Sequence, residues 1–383
     1  AYKDNEGEHP LIKSAEELFK EMSSNPKDRF ELTEDLDASG ISADAAAITG
    51  TFSGELDGNG YRILNLTTSL FDTLNKASVH DLVIENASVT TARRGILSNY
   101  IRNQSVIENV FIVDSSISND VDGLGTFAGE ITDSAIRESA AVNVSVRGLV
   151  AVGGIVGKTG SGTVVEDCYA TGKVQGTYNH PSLGARAGGI TGWHGGGTIR
   201  RCFTDVHITA PDKKGNGGII GGPNTGTPRI ESSLSMRTGP AYRIAGFDVL
   251  ENVKEVYEYS GSKSTTNITD ANKENVKVVD NLYDRSFYEN TLGFDEHIWD
   301  LEALTYEKKP NLKSAPVDEN KYGIPNYSVV KKNASYRADR EQAYANMAKL
   351  MPFSDTRMWV EYGNRLSAQD ALVTQTVQFI LPL

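Results

Sequence analysis

Short runs in which apolar and polar residues alternate, closed by Gly, Asn or Asp, recur through most of the chain and predict strands rather than helices. One phrase returns at near-constant intervals. Glu108-Asn-Val-Phe-Ile-Val comes back as Glu138-Ser-Ala-Ala-Val, Glu166-Asp-Cys-Tyr-Ala-Thr, Arg200-Arg-Cys-Phe-Thr-Asp and Glu231-Ser-Ser-Leu-Ser-Met, after an earlier copy at His80-Asp-Leu-Val-Ile. The first small or apolar residue of each copy gives Leu82, Val110, Ser139, Cys168, Cys202 and Ser233, in steps of 28, 29, 29, 34 and 31 residues. A second phrase precedes the later copies: Gly125-Thr-Phe-Ala-Gly129, Gly153-Gly-Ile-Val-Gly157, Gly188-Gly-Ile-Thr-Gly192 and Gly217-Gly-Ile-Ile-Gly221.

A unit of about 30 residues with two or three short strands cannot bury a core alone, whereas coils stacked about 4.8 Å apart share one continuous interior. The expected fold is therefore predominantly all-β, a right-handed parallel β-helix (solenoid) in which equivalent residues form ladders. One structural ladder runs through Leu82, Val110, Ser139, Cys168, Cys202 and Ser233. Another runs through Ile219, Ile190, Ile155 and Phe127, and on to Ile96 and Phe71.

The ends read differently. Ser14-Ala-Glu-Glu17 is a capping box, and Ala15, Leu18, Phe19 and Met22 share one helical face, so an amphipathic helix is expected to cap the first coil. Residues 1–48 are assigned to this cap and a first strand, and 49–315 to the β-helix, with a loop insertion at about 250–290 and a last coil near Trp299-Asp-Leu301 and Pro310-Asn-Leu312. Residues 316–383 form a small mixed α/β junction to a following domain, with a helix across 335–351.

Composition sharpens this picture. The 383 residues carry a net charge of −12, which opposes attachment to nucleic acid or an anionic membrane, and no apolar run reaches the length of a membrane span. Of 37 glycines, 22 fall between residues 140 and 240 and alternate with Ile, Val and Phe, which excludes a flexible linker. The two cysteines, Cys168 and Cys202, occupy equivalent positions in adjacent coils, and a buried pair of free thiols and a disulfide both remain open.

The Gly-Gly-Ile-Val-Gly phrase followed by Asp-Cys-Tyr-Ala-Thr-Gly resembles the GLUG repeat of bacterial surface proteins. Leu11-Ile-Lys-Ser-Ala-Glu-Glu-Leu18, Thr51-Phe-Ser-Gly-Glu-Leu-Asp-Gly-Asn-Gly-Tyr61 and Asn346-Met-Ala-Lys-Leu-Met-Pro-Phe353 resemble the amino-terminal region of the streptococcal zinc metalloproteases, the immunoglobulin A protease and Zmp group. The resemblance implies a parent enzyme at the bacterial cell surface, with zinc in a separate catalytic domain. It also implies a host glycoprotein substrate, such as immunoglobulin A, and the parent's catalytic domain as partner.

This chain itself lacks the zinc motif of such enzymes. None of His9, His80, His180, His194, His207 and His297 begins a His-Glu-x-x-His sequence. No catalytic, metal or cofactor residue is therefore assigned. Glu166, Asp167 and Asp205 suggest a polysaccharide-cleaving acid pair, but no aspartate ladder runs through the copies, since Arg201 and Ser232 match Asp167. Asp57-Gly-Asn-Gly60 reads as a tight turn, which needs the same residues a weak calcium loop would use. The candidate partner-binding surface is an aromatic and basic group: Tyr178, His180, Trp193, His194, Arg200, Arg201, Lys213 and Lys214. The leading expectation is a non-catalytic module serving as scaffold and recognition platform, and the alternative is a stand-alone adhesin for a host protein or glycan.

Overall fold

The computed structural model describes residues 2–4, 7–9, 14–179, 184–211, 215–223, 229–236, 244–246, 252–262, 276–305 and 308–315. The expected junction at 316–383, with its helix, lies outside them.

The repeat phrases become strands because their inward side chains are apolar and their corners accept a left-handed backbone. Seven strands, Ile48–Phe52, Phe71–Asn75, Ser98–Arg102, Ala128–Ile131, Val156–Thr159, Thr191–His194 and Ile220–Pro223, pair in that order to form one parallel sheet. The larger sheet repeats the pattern. Ser78 pairs with Val106, Val106 with Ala135, Ala135 with Val164, Val164 with Thr198 and Thr198 with Arg229, all in parallel. These pairings step along the chain by the same intervals as the phrases. A third, short parallel sheet joins Val152–Gly153, Ala187–Gly188 and Asn216–Gly217. The protein is thus mostly β, with parallel sheets and few helices.

The six residues from Leu82 to Ser233 named above are all fully buried. Small residues at this rung satisfy backbone groups on both sides. Ser139 Oγ donates to Arg137 O at 2.6 Å and accepts from Val110 N–H at 3.1 Å, and Ser233 Oγ does the same with Glu231 O and Cys202 N–H. The residue just before each rung turns the corner in the left-handed region: Asp81, Asn109, Glu138, Asp167, Arg201, Ser232 and Glu255 all have φ between 45° and 54°. A second corner stacks Asn65, Asn86, Asp114 and Asn143, also left-handed, with Asn86 Nδ2 donating to Asn65 Oδ1 at 2.7 Å and Asn143 Nδ2 to Asp114 Oδ1 at 2.6 Å. Asn and Asp tolerate this backbone better than other non-glycine residues. In the glycine phrases the constraint is space, since a Cβ on Gly154 would collide with Gly189 O of the next rung.

The second apolar ladder is shifted by one residue at its lower end. Ser98 pairs with both Phe71 and Ala128, so Leu97 and Leu70 continue the row of Ile219, Ile190, Ile155 and Phe127, and Ile96 and Phe71 do not. All of these side chains are buried, so apolarity alone did not discriminate between the two registers.

The helix Ala15–Ser24 is capped by Ser14, whose Oγ accepts from Glu17 N–H at 3.2 Å, and it buries Ala15, Leu18, Phe19 and Met22 against the first rungs. Ahead of it, Tyr2–Asp4 and Gly7–His9 form an antiparallel hairpin that adds to Arg29–Leu32, an element the pattern did not announce.

Two expectations for the distal part need correction. Val253–Tyr259 and Val276–Val279, inside the supposed loop insertion, continue the large sheet in parallel, with Val256 buried beside Ser233. Trp299–Asp300 and Asn311–Leu312 are not a last coil. They pair antiparallel with each other, within a segment spanning 282–315 that lies across the outside of the large sheet. Its Tyr288, Leu292, Phe294, Trp299 and Leu301 cover the outward apolar row of Val83, Phe111, Ala140, Tyr169, Phe203 and Leu234. Tyr169 and Phe203 stack with centroids 4.8 Å apart, and Trp299 lies 5.8 Å from Phe203.

Candidate functional site

The corner rows of the large sheet gather the chain's chemistry. One outward row, read by register, is Glu31, Asp57, His80, Glu108, Arg137, Glu166, Arg200, Glu231 and Lys254, so acid and base alternate from Asp57 to Lys254 and only the first step, Glu31 to Asp57, joins two acids. Opposite charges on directly neighbouring strands attract, and like charges would repel.

Around Glu166 the pairing is dense. Arg137, Arg200 and Arg201 reach its carboxylate at 2.8, 2.6 and 3.0 Å. Burial alone would raise the pKa of Glu166, but its hydrogen bond and charge pairing with Arg200, with help from Arg201 and Arg137, hold it below the usual range. Asp167 accepts both a two-pronged contact from Arg201, at 2.9 and 2.7 Å, and the indole N–H of Trp299 at 3.0 Å. Asp205 is paired with Lys309. Carboxylates saturated by guanidinium or ammonium groups are poorly placed to exchange a proton with a substrate, so the arrangement suits cross-linking rather than acid–base work.

A second cluster surrounds His80. Its Nδ1 lies 3.0 Å from Asp81 Oδ2 and 3.7 Å from Asp57 Oδ1, and its Nε2 lies 3.1 Å from Glu55 Oε1. Burial disfavours the imidazolium, yet the Asp81 hydrogen bond, the Asp57 charge and the Glu55 hydrogen bond outweigh it and push the pKa up to about 9. Protonated His80 thus supplies the cation that its place in the alternating row requires. Beside the cluster, Lys27, Arg29, Glu55, Lys76 and Gln104 line an open groove of about 440 Å³. The cluster escaped the sequence reading because Asp57 and His80 are only 23 residues apart, short of the repeat step.

The predicted partner-binding group does not form one surface. Trp193 is half-buried on the seven-stranded sheet, with the Arg186 guanidinium 4.2 Å from its ring centroid and Lys158 Nζ at 5.5 Å. His194, expected on an outer face, is fully buried, because the next position along a strand points inward. Its Nδ1 is 2.6 Å from Thr159 Oγ1, and burial pushes its pKa down to about 4, so the ring is neutral. Arg200 and Arg201 sit on the large sheet in the pairs just described. Tyr178 is half-buried just past the strand Tyr169–Gly176, and His180, Lys213 and Lys214 lie outside the described residues.

Cys168 and Cys202 are buried free thiols whose Sγ atoms face the carbonyls of Glu166 and Arg200 at 3.1 and 3.2 Å. Burial, and then its neighbour Cys202, push the Cys168 thiol pKa up.

The chain's residues do not fit a His-Glu-x-x-His zinc centre, since no histidine is followed by glutamate. Among the described residues no helix is long and apolar enough to cross a membrane.

Comparison with known proteins adds a family to this geometry. Residues 2–113 match the model of the M26 IgA1-specific metallo-endopeptidase N-terminal region, and residues 148–175 match the GLUG motif. The chain is 27% identical to an immunoglobulin A1 protease of Streptococcus sanguinis over 94% of its own length, and 27% identical to one of Streptococcus pneumoniae over 97%. It is 26% identical to the zinc metalloprotease ZmpC of S. pneumoniae over 97%. It spans about a fifth of the length of these relatives.

Two solved structures share the fold. One is an IgA1 protease, with a TM-score of 0.55 and 19% identity, covering 69% of this chain and 22% of that one. The other is a Bacteroides ovatus protein provisionally described as an immunoglobulin A1 protease, with a TM-score of 0.50 and 20% identity, covering 77% of this chain and 89% of that one. The family match to residues 2–113, the GLUG motif and the near-complete coverage by streptococcal relatives identify the chain as resembling the amino-terminal region of the immunoglobulin A1 protease and Zmp group of zinc metalloproteases.

Proposed function

We propose that this chain is the non-catalytic amino-terminal module of an extracellular, cell-surface zinc metalloprotease, acting as a scaffold and recognition platform for a large host glycoprotein such as immunoglobulin A. The proposed architecture is a right-handed parallel β-helix, capped by residues 1–48, stacked through 49–315 and joined to the next domain by 316–383. The observation that carries the reading is the unbroken parallel register from Glu55 to Val276, combined with similarity to about a fifth of the relatives' length and to the M26 N-terminal region over residues 2–113. A stack of this kind presents side chains at fixed spacing over a long face, which is what positioning a large partner requires.

The absence of the zinc motif from the sequence and the pairing of Glu166, Asp167 and Asp205 support a role without chemistry. Zinc and the catalytic domain then belong to the parent protein. Surface plasmon resonance of the isolated chain against intact immunoglobulin A1 tests the recognition half. Reversible binding without cleavage is the expected result, and no binding up to about 1 mM removes that half of the proposal.

A further inference from the structure

We propose that Asp57, His80 and Asp81 form a binding site for a divalent cation of the zinc class, with Glu55 orienting the imidazole. One donor atom from each of the three residues lies within 4.8 Å of the other two, close enough for small side-chain rotations to bring all three onto a single cation. The backbone creates the arrangement. Asp57 pairs with His80 across neighbouring strands, and Asp81 follows His80 at a left-handed corner, with φ of 54°, placing its carboxylate 3.0 Å from Nδ1. Asp57 is itself held in place, since its Oδ1 accepts from Asn59 N–H at 2.8 Å.

The second nitrogen completes the pattern. Nε2 is 3.1 Å from Glu55 Oε1, and a histidine that binds metal through one nitrogen characteristically gives its other N–H to a carboxylate, which fixes the tautomer and the ring plane. Arg29, half-exposed and 3.4 Å from Asp57 Oδ2, is the competing cation and can turn toward solvent.

An independent observation comes from the next rung. Asn109 is fully buried, its Nδ2 donates to Asp81 Oδ1, and its own Oδ1 has no hydrogen-bond partner among the described residues. With Nδ2 on the Asp81 carboxylate, the orphaned Oδ1 at the other end of the same amide is the kind of buried acceptor that an ordered water beside the site satisfies. The donor set selects the metal: one imidazole, whose Nδ1 proton the metal displaces so that the metal replaces the imidazolium as the cation of the cluster, with two carboxylates suits zinc or its first-row neighbours, whereas calcium asks for six to eight oxygens. A cation here would tie the second and third rungs together close to the helical cap, a role independent of any recognition by the outer faces.

The test uses the whole chain, stripped with a chelator and titrated with Zn2+ by isothermal calorimetry, with Ca2+ in parallel. The expected result is one Zn2+ site, a raised melting temperature and a perturbed His80 Nδ1 resonance in nitrogen-15 NMR, with no effect of Ca2+. Asp57→Asn keeps an oxygen for the Asn59 N–H and so preserves the turn. It is expected to weaken Zn2+ binding by at least about tenfold and to abolish the rise in melting temperature. Zn2+ binding of unchanged affinity in Asp57→Asn, or no perturbation of the His80 ring, overturns the proposal, as does failure of the unmodified chain to bind Zn2+.

Discussion

Replacing Arg201 by Met separates the two roles that a buried charge pair can play. Arg201 makes two-pronged contact with Asp167 and a further contact with Glu166, and the Asp167 side chain is only 4% exposed. Met can occupy the same left-handed corner at the same backbone cost, so the change isolates the lost guanidinium. Breaking one side of a buried pair costs about 3–5 kcal/mol because a carboxylate is stranded. Two features place the expected loss near the lower end, about 3 kcal/mol: Trp299 still donates to Asp167, and Arg137 and Arg200 still hold Glu166.

The decisive comparison adds Asp167→Asn, which removes the stranded charge and places at this corner the residue that Asn109 already supplies two rungs earlier. The double variant is expected to be more stable than Arg201→Met alone, with a net loss of about 1 kcal/mol, measured by guanidinium unfolding followed by circular dichroism. A double variant less stable than the single one, or a single variant within about 0.5 kcal/mol of the parent, would refute the reasoning.

Three further outcomes follow from the same geometry. In chelator-treated protein, the folded His80 pKa of about 9 lies above its unfolded value of 6.5, so its contribution is complete below pH 6.5 and is lost as pH rises through 9. His80→Gln should flatten that part of a stability-against-pH curve, and an unchanged slope would show that His80 is not the titrating group. Gly154→Ala drives a Cβ into Gly189 O and should cost about 2–4 kcal/mol in chemical unfolding, whereas Gly40→Ala, with open space around it, should stay within about 0.5 kcal/mol. Cys168→Ser should be tolerated within about 1 kcal/mol, because serine already fills this rung at 139 and 233, and the native Cys168 thiol should resist alkylation until the protein unfolds.

The stacking was legible because its signal is steric. Along the row from Leu82 to Ser233 every buried residue is small or apolar, and the steps between those residues are the steps of strand pairing. The helix was equally plain, since its cap and apolar face are local. What escaped has a common cause, namely that outward positions obey no such rule. Val253–Tyr259 was obscured by Lys254 and Glu255 at its exposed and half-buried positions, and by Glu258, which is buried although charged, while its Val256 occupies the inward rung. The covering segment could have been suspected from Phe111, Tyr169, Phe203 and Leu234, outward residues too apolar to face water, but nothing local names what covers them. His194 was misplaced because its neighbour Trp193 does face outward, and a strand reverses sides at each residue.

The central proposal, a module that recognises rather than cleaves, is tested most directly by removing residues 1–315 from the proposed parent protease and measuring kcat/KM on two substrates. Intact immunoglobulin A1 should be cleaved at least about tenfold more slowly, a loss of about 1.4 kcal/mol of transition-state binding, while a short peptide spanning the scissile bond is cleaved as before. Unchanged cleavage of the intact glycoprotein would contradict the account.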